Sequence, residues 1–271
     1  MLLDDAGRAA LYAGRLDVLE ATPAIAALSA AVWDRVVRRF APLDPREAHA
    51  KLGNDAHFER FAALRQGIPH DPSLVRLAFA ALASLGVAPP DYRVDRPRVR
   101  AVASGAHRIA EARPAYGQHR DTWYANPRAQ LNHWIPLHPL LEEERIGFFP
   151  QRFGVAVPNT SGGFDLDAWQ SLGGFQAYAR PQPTRQHHPA PLEPLDWALA
   201  HRPAVPFGSI LRFSAHHLHG TVPHDSGRTR YTLELRAVHA RDHREGLGAP
   251  SVDDGARGDT FATYLEGAPS P

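Results

Sequence analysis

The chain contains no cysteine and a single methionine. Disulfides, thiolate nucleophiles, zinc–thiolate sites and cysteine-ligated iron–sulfur clusters are therefore excluded. No apolar run reaches the ~18 residues of a membrane-spanning helix. Charge of one sign is not concentrated either: 30 Lys plus Arg stand against 29 Asp plus Glu, a net charge of +1. A nucleic-acid face is not expected from such a balance. The opening residues place Asp4 and Asp5 where a secretory signal carries positive charge. These absences lead to the expectation of a cytoplasmic globular protein without nucleic-acid or membrane partners. Histidine is abundant at 16 and proline at 25. At that density most histidines are packing or surface residues, so a ligand must be argued from arrangement.

The 271 residues suit one large domain, read as 1–271, with an N-terminal helical layer over 1–90. Thr22 is a candidate N-cap with Pro23 at the first helical position. Ile25, Leu28, Val32, Val36 and Phe40 follow at three- and four-residue spacing and describe one apolar face. A second helix is expected over about 46–65, faced by Phe58, Phe61 and Leu64. A third opens at Asp71-Pro72 and carries Leu74, Ala78, Leu82 and Leu85 before Gly86 stops it.

From about 92 the period changes to two. Strands are expected at Val99–Ala103, around His119, over Gln130–Leu137, over Gly208–Phe213 and from Arg230 to Val238. In the last of these, Arg230, Thr232, Glu234 and Arg236 alternate with Tyr231, Leu233, Leu235 and Ala237. That pattern fits an antiparallel sheet with one apolar face and one facing solvent or a polar cavity. Residues 138–208 show little regular pattern and read as rim material over a cavity, with short helices near 165–170 and 196–200. Their aromatics Phe148, Phe149, Phe153, Phe164, Trp169 and Phe175 either anchor this loop or line a pocket. Residues 241–271 read as a tail with a short ordered piece at 260–265.

In an extended strand, side chains two apart share a face. His119 and Asp121 in the stretch GQHRDTWY then present an imidazole and a carboxylate together, two thirds of a facial triad of the kind that binds ferrous iron with open positions. A His-X-Asp alone arises often by chance. A second histidine group, His216, His217 and His219, follows about a hundred residues later, and spacing alone does not choose among its members. Trp123 shares the parity of His119 and Asp121, while Asn132 and Gln130 share a face of the next strand.

Taken together, GQHRDTWY (117–124), QLNHWIPL (130–137) and GSILRFSAHHLHGTVPHDSGRTRYTLELRAV (208–238) resemble the phytanoyl-CoA dioxygenase-like branch of the Fe(II)/2-oxoglutarate-dependent oxygenases. The resemblance implies a double-stranded β-helix core (jelly-roll, cupin-like; mainly β, or α+β counting the helices) over 92–240. It implies His119, Asp121 and His219 as metal ligands, with His216 and His217 beside the site or at the surface. Arg230, eleven residues beyond His219, falls where the family grips the distal carboxylate of 2-oxoglutarate, and Thr232 matches the hydroxyl residue two further on. Asn132, or Gln130 in competition, is a candidate partner for the keto-acid's metal-side carboxylate. Trp123, Tyr124, Trp134, Phe149 and Phe153 are candidates for the substrate pocket. Two departures stand out: His224 replaces a usual asparagine, and FFPQRFGVAVPNTSG replaces a plainer loop at the rim.

The implied cofactors are Fe(2+), 2-oxoglutarate as co-substrate and O2, and the implied partner is a small molecule hydroxylated at an unactivated C–H. Asp121 disfavours halogenation, for which the family exchanges this carboxylate for a small residue. Competing readings are a zinc or manganese hydrolase or isomerase on a cupin-like barrel, and a catalytically silent binding domain. Arg230 and Thr232 speak against the first, since such a protein needs no keto-acid clamp.

Overall fold

The computed structural model describes residues 3–109, 112, 116–173 and 187–270. The N-terminal layer comprises α1 (Asp5–Tyr12), α2 (Pro23–Phe40), α3 (Ala48–Leu52), α4 (Asn54–Gly67) and α5 (Pro72–Ala83). Helix α2 starts as its sequence demands. Thr22 accepts from the Ile25 amide, Pro23 occupies the first turn, and the buried residues are Ile25, Leu28, Val32, Val36 and Phe40. Asp71 caps α5 by accepting from the amides of Ser73 and Leu74. The helix expected over 46–65 is instead two, because Gly53 takes a positive φ of 71° between them. Helix α1 falls within the helical reading of 1–90, whereas the strand after it, β1 (Asp17–Glu20), departs from that reading.

Two sheets follow. The larger has six strands in the order β1, β6 (Ser209–Ser214), β4 (Gln130–Pro136), β8 (Thr229–His239), β2 (Tyr92–Val94), with β3 (Arg98–Ala103) also on β8. The smaller pairs β5 (Ile146–Phe148) with β7 (His219–Thr221). All pairings between these strands are antiparallel. The architecture is thus a helical layer followed by a jelly-roll type, two-sheet β core. Among the described residues no helix is long and apolar enough to cross a membrane.

The period of two in β8 explains how the layers meet. Tyr231, Leu233, Leu235 and Ala237 join Leu28, Val32, Phe40, Leu74 and Leu82 in one apolar core between sheet and helices. Leu131 and Ile135 of β4 enter the same core. The opposite face of the large sheet carries Trp134, Leu211 and Phe213, which pack on Ile146 and Phe148 of the small sheet. Arg230, Thr232, Glu234 and Arg236 also lie on that face. All four are buried, so their alternation marks a polar interior and not a solvent face.

The rim carries short helices where its sequence placed them, near 165–170 and 196–200, and adds the strand β5. The first is α6 (Leu166–Ser171), capped by Asp165. A 3-10 turn at Trp197–Leu199 is capped by Asp196. Phe175 lies outside the described residues. The tail is packed rather than loose: Leu265 bridges to Val94, and Tyr264 is buried in the main core.

Candidate metal centre

The strand expected around His119 is reduced to one bridge. His119 and His219 exchange backbone hydrogen bonds of 2.9 and 3.0 Å. Arg120 remains extended (φ −101°, ψ 141°), and a 3-10 turn over Asp121–Tyr124 begins at once. Side-chain parity therefore survives from 119 to 121 and no further. The Asp121 amide donates to the Ala215 carbonyl at 2.9 Å, tying the turn to the chain just before His219. The close approach needs a glycine. A Cβ on Gly220 would stand 2.9 Å from the Gly117 carbonyl oxygen and 3.2 Å from the Gln118 Cα.

His119, Asp121 and His219 meet, with ligand atoms all within 4.8 Å of one another. His119 Nε2 stands 3.5 Å from Asp121 Oδ1. The Nδ1 atoms face backbone carbonyls, His119 toward Gly117 at 2.9 Å and His219 toward His217 at 2.8 Å. A carbonyl only accepts, so each Nδ1 carries the proton and each Nε2 keeps its lone pair. Burial, aided by the neighbouring His119, pulls His219 down to about 4, which keeps this imidazole neutral near pH 7. Burial alone would raise Asp121. The Arg236 guanidinium and the two histidines outweigh it and hold the carboxyl well below its ordinary range.

Two imidazole nitrogens and an ionised carboxylate form a donor set suited to a divalent first-row metal. Hydrogen bonds of the sort that orient such ligands surround Asp121. Asn132 Nδ2 donates to Asp121 Oδ2 at 2.5 Å, and Gln130 Nε2 donates to Asn132 Oδ1 at 2.8 Å. Tyr264 donates to Gln130 Oε1 in turn. Arg236 reaches within 3.7 Å of Asp121 Oδ1 while paired with Glu234, and Glu234 also accepts from Arg100 at 2.7 Å.

Arg230 is 2% exposed. Its Nη1 donates to the Glu144 carbonyl at 3.0 Å and its Nη2 to Thr221 Oγ1 at 3.2 Å. Its Nε finds no acceptor, Thr232 Oγ1 finds no partner, and no carboxylate pairs with this guanidinium among the described residues. Burial pulls Arg230 down to about 10. A buried cation without a counter-ion is costly. The position fits a bound anion.

The other expected residues divide. The Tyr124 ring stands 5.5 Å from that of His119, and Trp134 lies 5.8 Å from the Arg230 guanidinium. Trp123 and Phe149 instead pack together with Val157 and Leu218. The 3-10 turn rotates Trp123 off the ligand face, so parity misplaced it; its indole N–H donates to Asp253 at 2.9 Å. Phe153 packs against the rings of His216 and His217. Those two histidines are fully buried, not at the surface, and neither joins the metal cluster. His224 is also buried, with Nδ1 3.0 Å from Ser226 Oγ.

Sequence reasoning missed the roles of Arg236 and Glu234, although both stood on the polar face of β8. It also missed Asp253, which lies in a Gly/Asp-rich tail with no periodic signal.

No protein-family description matches the chain, and no curated protein matches it. Similar solved structures do exist. One is apo ThoJ, a non-heme monooxygenase, at 12% identity over 86% of this chain and 78% of that chain, TM-score 0.45. Another is EvdO2 from Micromonospora carbonacea var. aurantiaca complexed with 2-oxoglutarate, at 15% over 89% and 92%, TM-score 0.43. A third is the epimerase SnoN in complex with Fe3+, alpha ketoglutarate and nogalamycin RO, at 19% over 95% and 98%, TM-score 0.38. Likeness at these identities and scores says nothing of activity, and the chemistry below is argued from this chain's own side chains.

Proposed function

We propose that the chain is an Fe(II)/2-oxoglutarate-dependent dioxygenase that hydroxylates a small molecule at an unactivated C–H, releasing succinate and CO2. The observation that carries this reading is the buried Arg230 guanidinium, which lacks a carboxylate partner among the described residues and is tied through Thr221 to the strand bearing His219. A zinc or manganese hydrolase needs no keto-acid clamp.

In this reading the Nε2 atoms of His119 and His219 and the carboxylate of Asp121 hold the metal. Bound iron supplies the oxidising chemistry, activating O2 at the expense of 2-oxoglutarate. Three protein ligands on one side leave positions open for co-substrate and oxygen. Arg230 offers a planar donor fork to the distal carboxylate of the keto-acid, where lysine would offer a single point charge. Thr232, two residues on and on the same face, adds its hydroxyl. Asn132 spends one amide N–H on Asp121 Oδ2 and keeps a second for the keto-acid's other end. Of the pocket candidates, Tyr124 stands edge-on to the His119 ring and Trp134 beside the Arg230 guanidinium.

The test is succinate formation from 2-oxoglutarate. We expect turnover that needs both Fe(II) and O2, detectable even as slow uncoupled decarboxylation without substrate. Succinate formation indifferent to Fe(II), or none with saturating metal and keto-acid, would refute the assignment.

A further inference from the structure

Arg120 sits between two of the metal-binding candidates in sequence, yet its side chain is fully buried and points away from them. A guanidinium has five N–H groups, and here each has an acceptor. Nε donates to Asp253 Oδ2 at 3.1 Å. Nη1 donates to the carbonyls of His216 at 2.5 Å and Phe153 at 3.5 Å. Nη2 donates to those of Arg152 at 2.7 Å and Val155 at 3.0 Å. Four of the five acceptors are backbone oxygens from two separate stretches of chain, 152–155 and 216, which a lysine could not satisfy together.

Asp253 is as fully used. Besides Arg120 it accepts from the Trp123 indole at 2.9 Å and from the Val157 amide at 2.9 Å. Its own carbonyl accepts from Asn159 Nδ2 at 2.8 Å. The pair therefore joins the His119–Asp121 segment, the segment three residues before His219, the rim and the C-terminal stretch.

We propose that Arg120 and Asp253 are positioning residues for the metal centre, fixing the spacing between the His119/Asp121 limb and the His219 limb. This rests on the metal-binding reading of that triad. Moving the His216 carbonyl would move Ala215, whose own carbonyl receives the Asp121 amide, and so would shift two ligands against the third. The C-terminal stretch around 253 thereby becomes part of the site's architecture although it contributes no ligand.

The full-length metal-free protein is titrated with Co(II), and both the affinity and the visible absorption of the bound ion are followed. Asp253→Asn keeps the shape and removes the charge. We expect Co(II) to bind ~10–100-fold more weakly, as for lost outer-shell partners, with altered band positions. Arg120→Lys is expected to lose at least as much; should it fail to fold, Asp253→Asn carries the test. Asp242→Asn is the control. It breaks the equally buried Arg8–Asp242 pair that ties α1 to α7 (Ala240–Arg244), and should lower Tm while leaving Co(II) affinity and spectrum unchanged.

Identical affinity and spectrum in Asp253→Asn and the parent overturn the inference alone, as does an equal loss in Asp242→Asn. A parent chain that takes up no Co(II) overturns the metal reading and this inference with it.

Discussion

The helical layer and the metal centre are built on opposite physical terms. Helix α2 presents five buried apolar residues from one continuous stretch, and what they pack against is also apolar. The candidate metal centre draws on residues 119, 120, 121, 130, 132, 219, 230, 232, 234, 236, 253 and 264, all polar, and holds them with directed hydrogen bonds. Apolar burial tolerates small displacements because it is non-directional. A buried polar network does not, since each unmade bond leaves a desolvated group. The contrast predicts that stability resides chiefly in the first region and function in the second.

The largest effect on stability is expected in the helices. Leu28→Ala removes a fully buried side chain from the core and should cost about 2–5 kcal/mol. Chemical denaturation measures this. The contrast holds if succinate formation per folded molecule is unchanged, and it breaks if activity falls in step with stability. Next comes Arg230→Ala, which removes charge-assisted bonds worth about 1.5–3 kcal/mol and should weaken apparent 2-oxoglutarate affinity by ~10–100-fold. Arg230→Lys should recover part of this loss. An unaltered requirement for keto-acid would place the co-substrate elsewhere.

The smallest effect sharpens the comparison inside the helical layer. His57 is buried against Phe40, and burial, with His49 nearby, depresses it to about 4. Its folded value lies below the ordinary ~6.5, so the folded state resists protonation that the unfolded chain accepts. Stability from this group is thus complete above about pH 6.5 and declines as pH falls toward 4. Between about pH 7.5 and about pH 5.5 the loss should be about 1 kcal/mol. His57→Leu should flatten that part of the stability profile, and an unchanged slope would mean other groups set it.

The same contrast explains what the sequence made legible. The cap at Thr22, the face of α2 and the cap at Asp71 are local signals, and the structure repeats them. The alternation in β8 separated the apolar core face from the polar one but left solvent and cavity open for the latter; burial of the whole strand decides for the cavity. Parity failed one residue past Asp121, where a 3-10 turn replaces the strand. The short strands β5 and β7 escaped notice, since three residues carry no periodicity. Arg120 and Asp253 are separated by 133 positions, and no local pattern reports their pairing. The motifs that carry the triad could be read in the sequence; the framework that fixes their spacing could not.

The most direct measurement is anaerobic Fe(II) titration of the metal-free chain, in parallel with His119→Ala, Asp121→Ala and His219→Ala. A single ion bound by the parent, with affinity lost in all three variants while each keeps its helical circular dichroism, is the predicted result. Undiminished Fe(II) binding in His219→Ala would contradict the account, because the two distant limbs of the chain would then not share one ion.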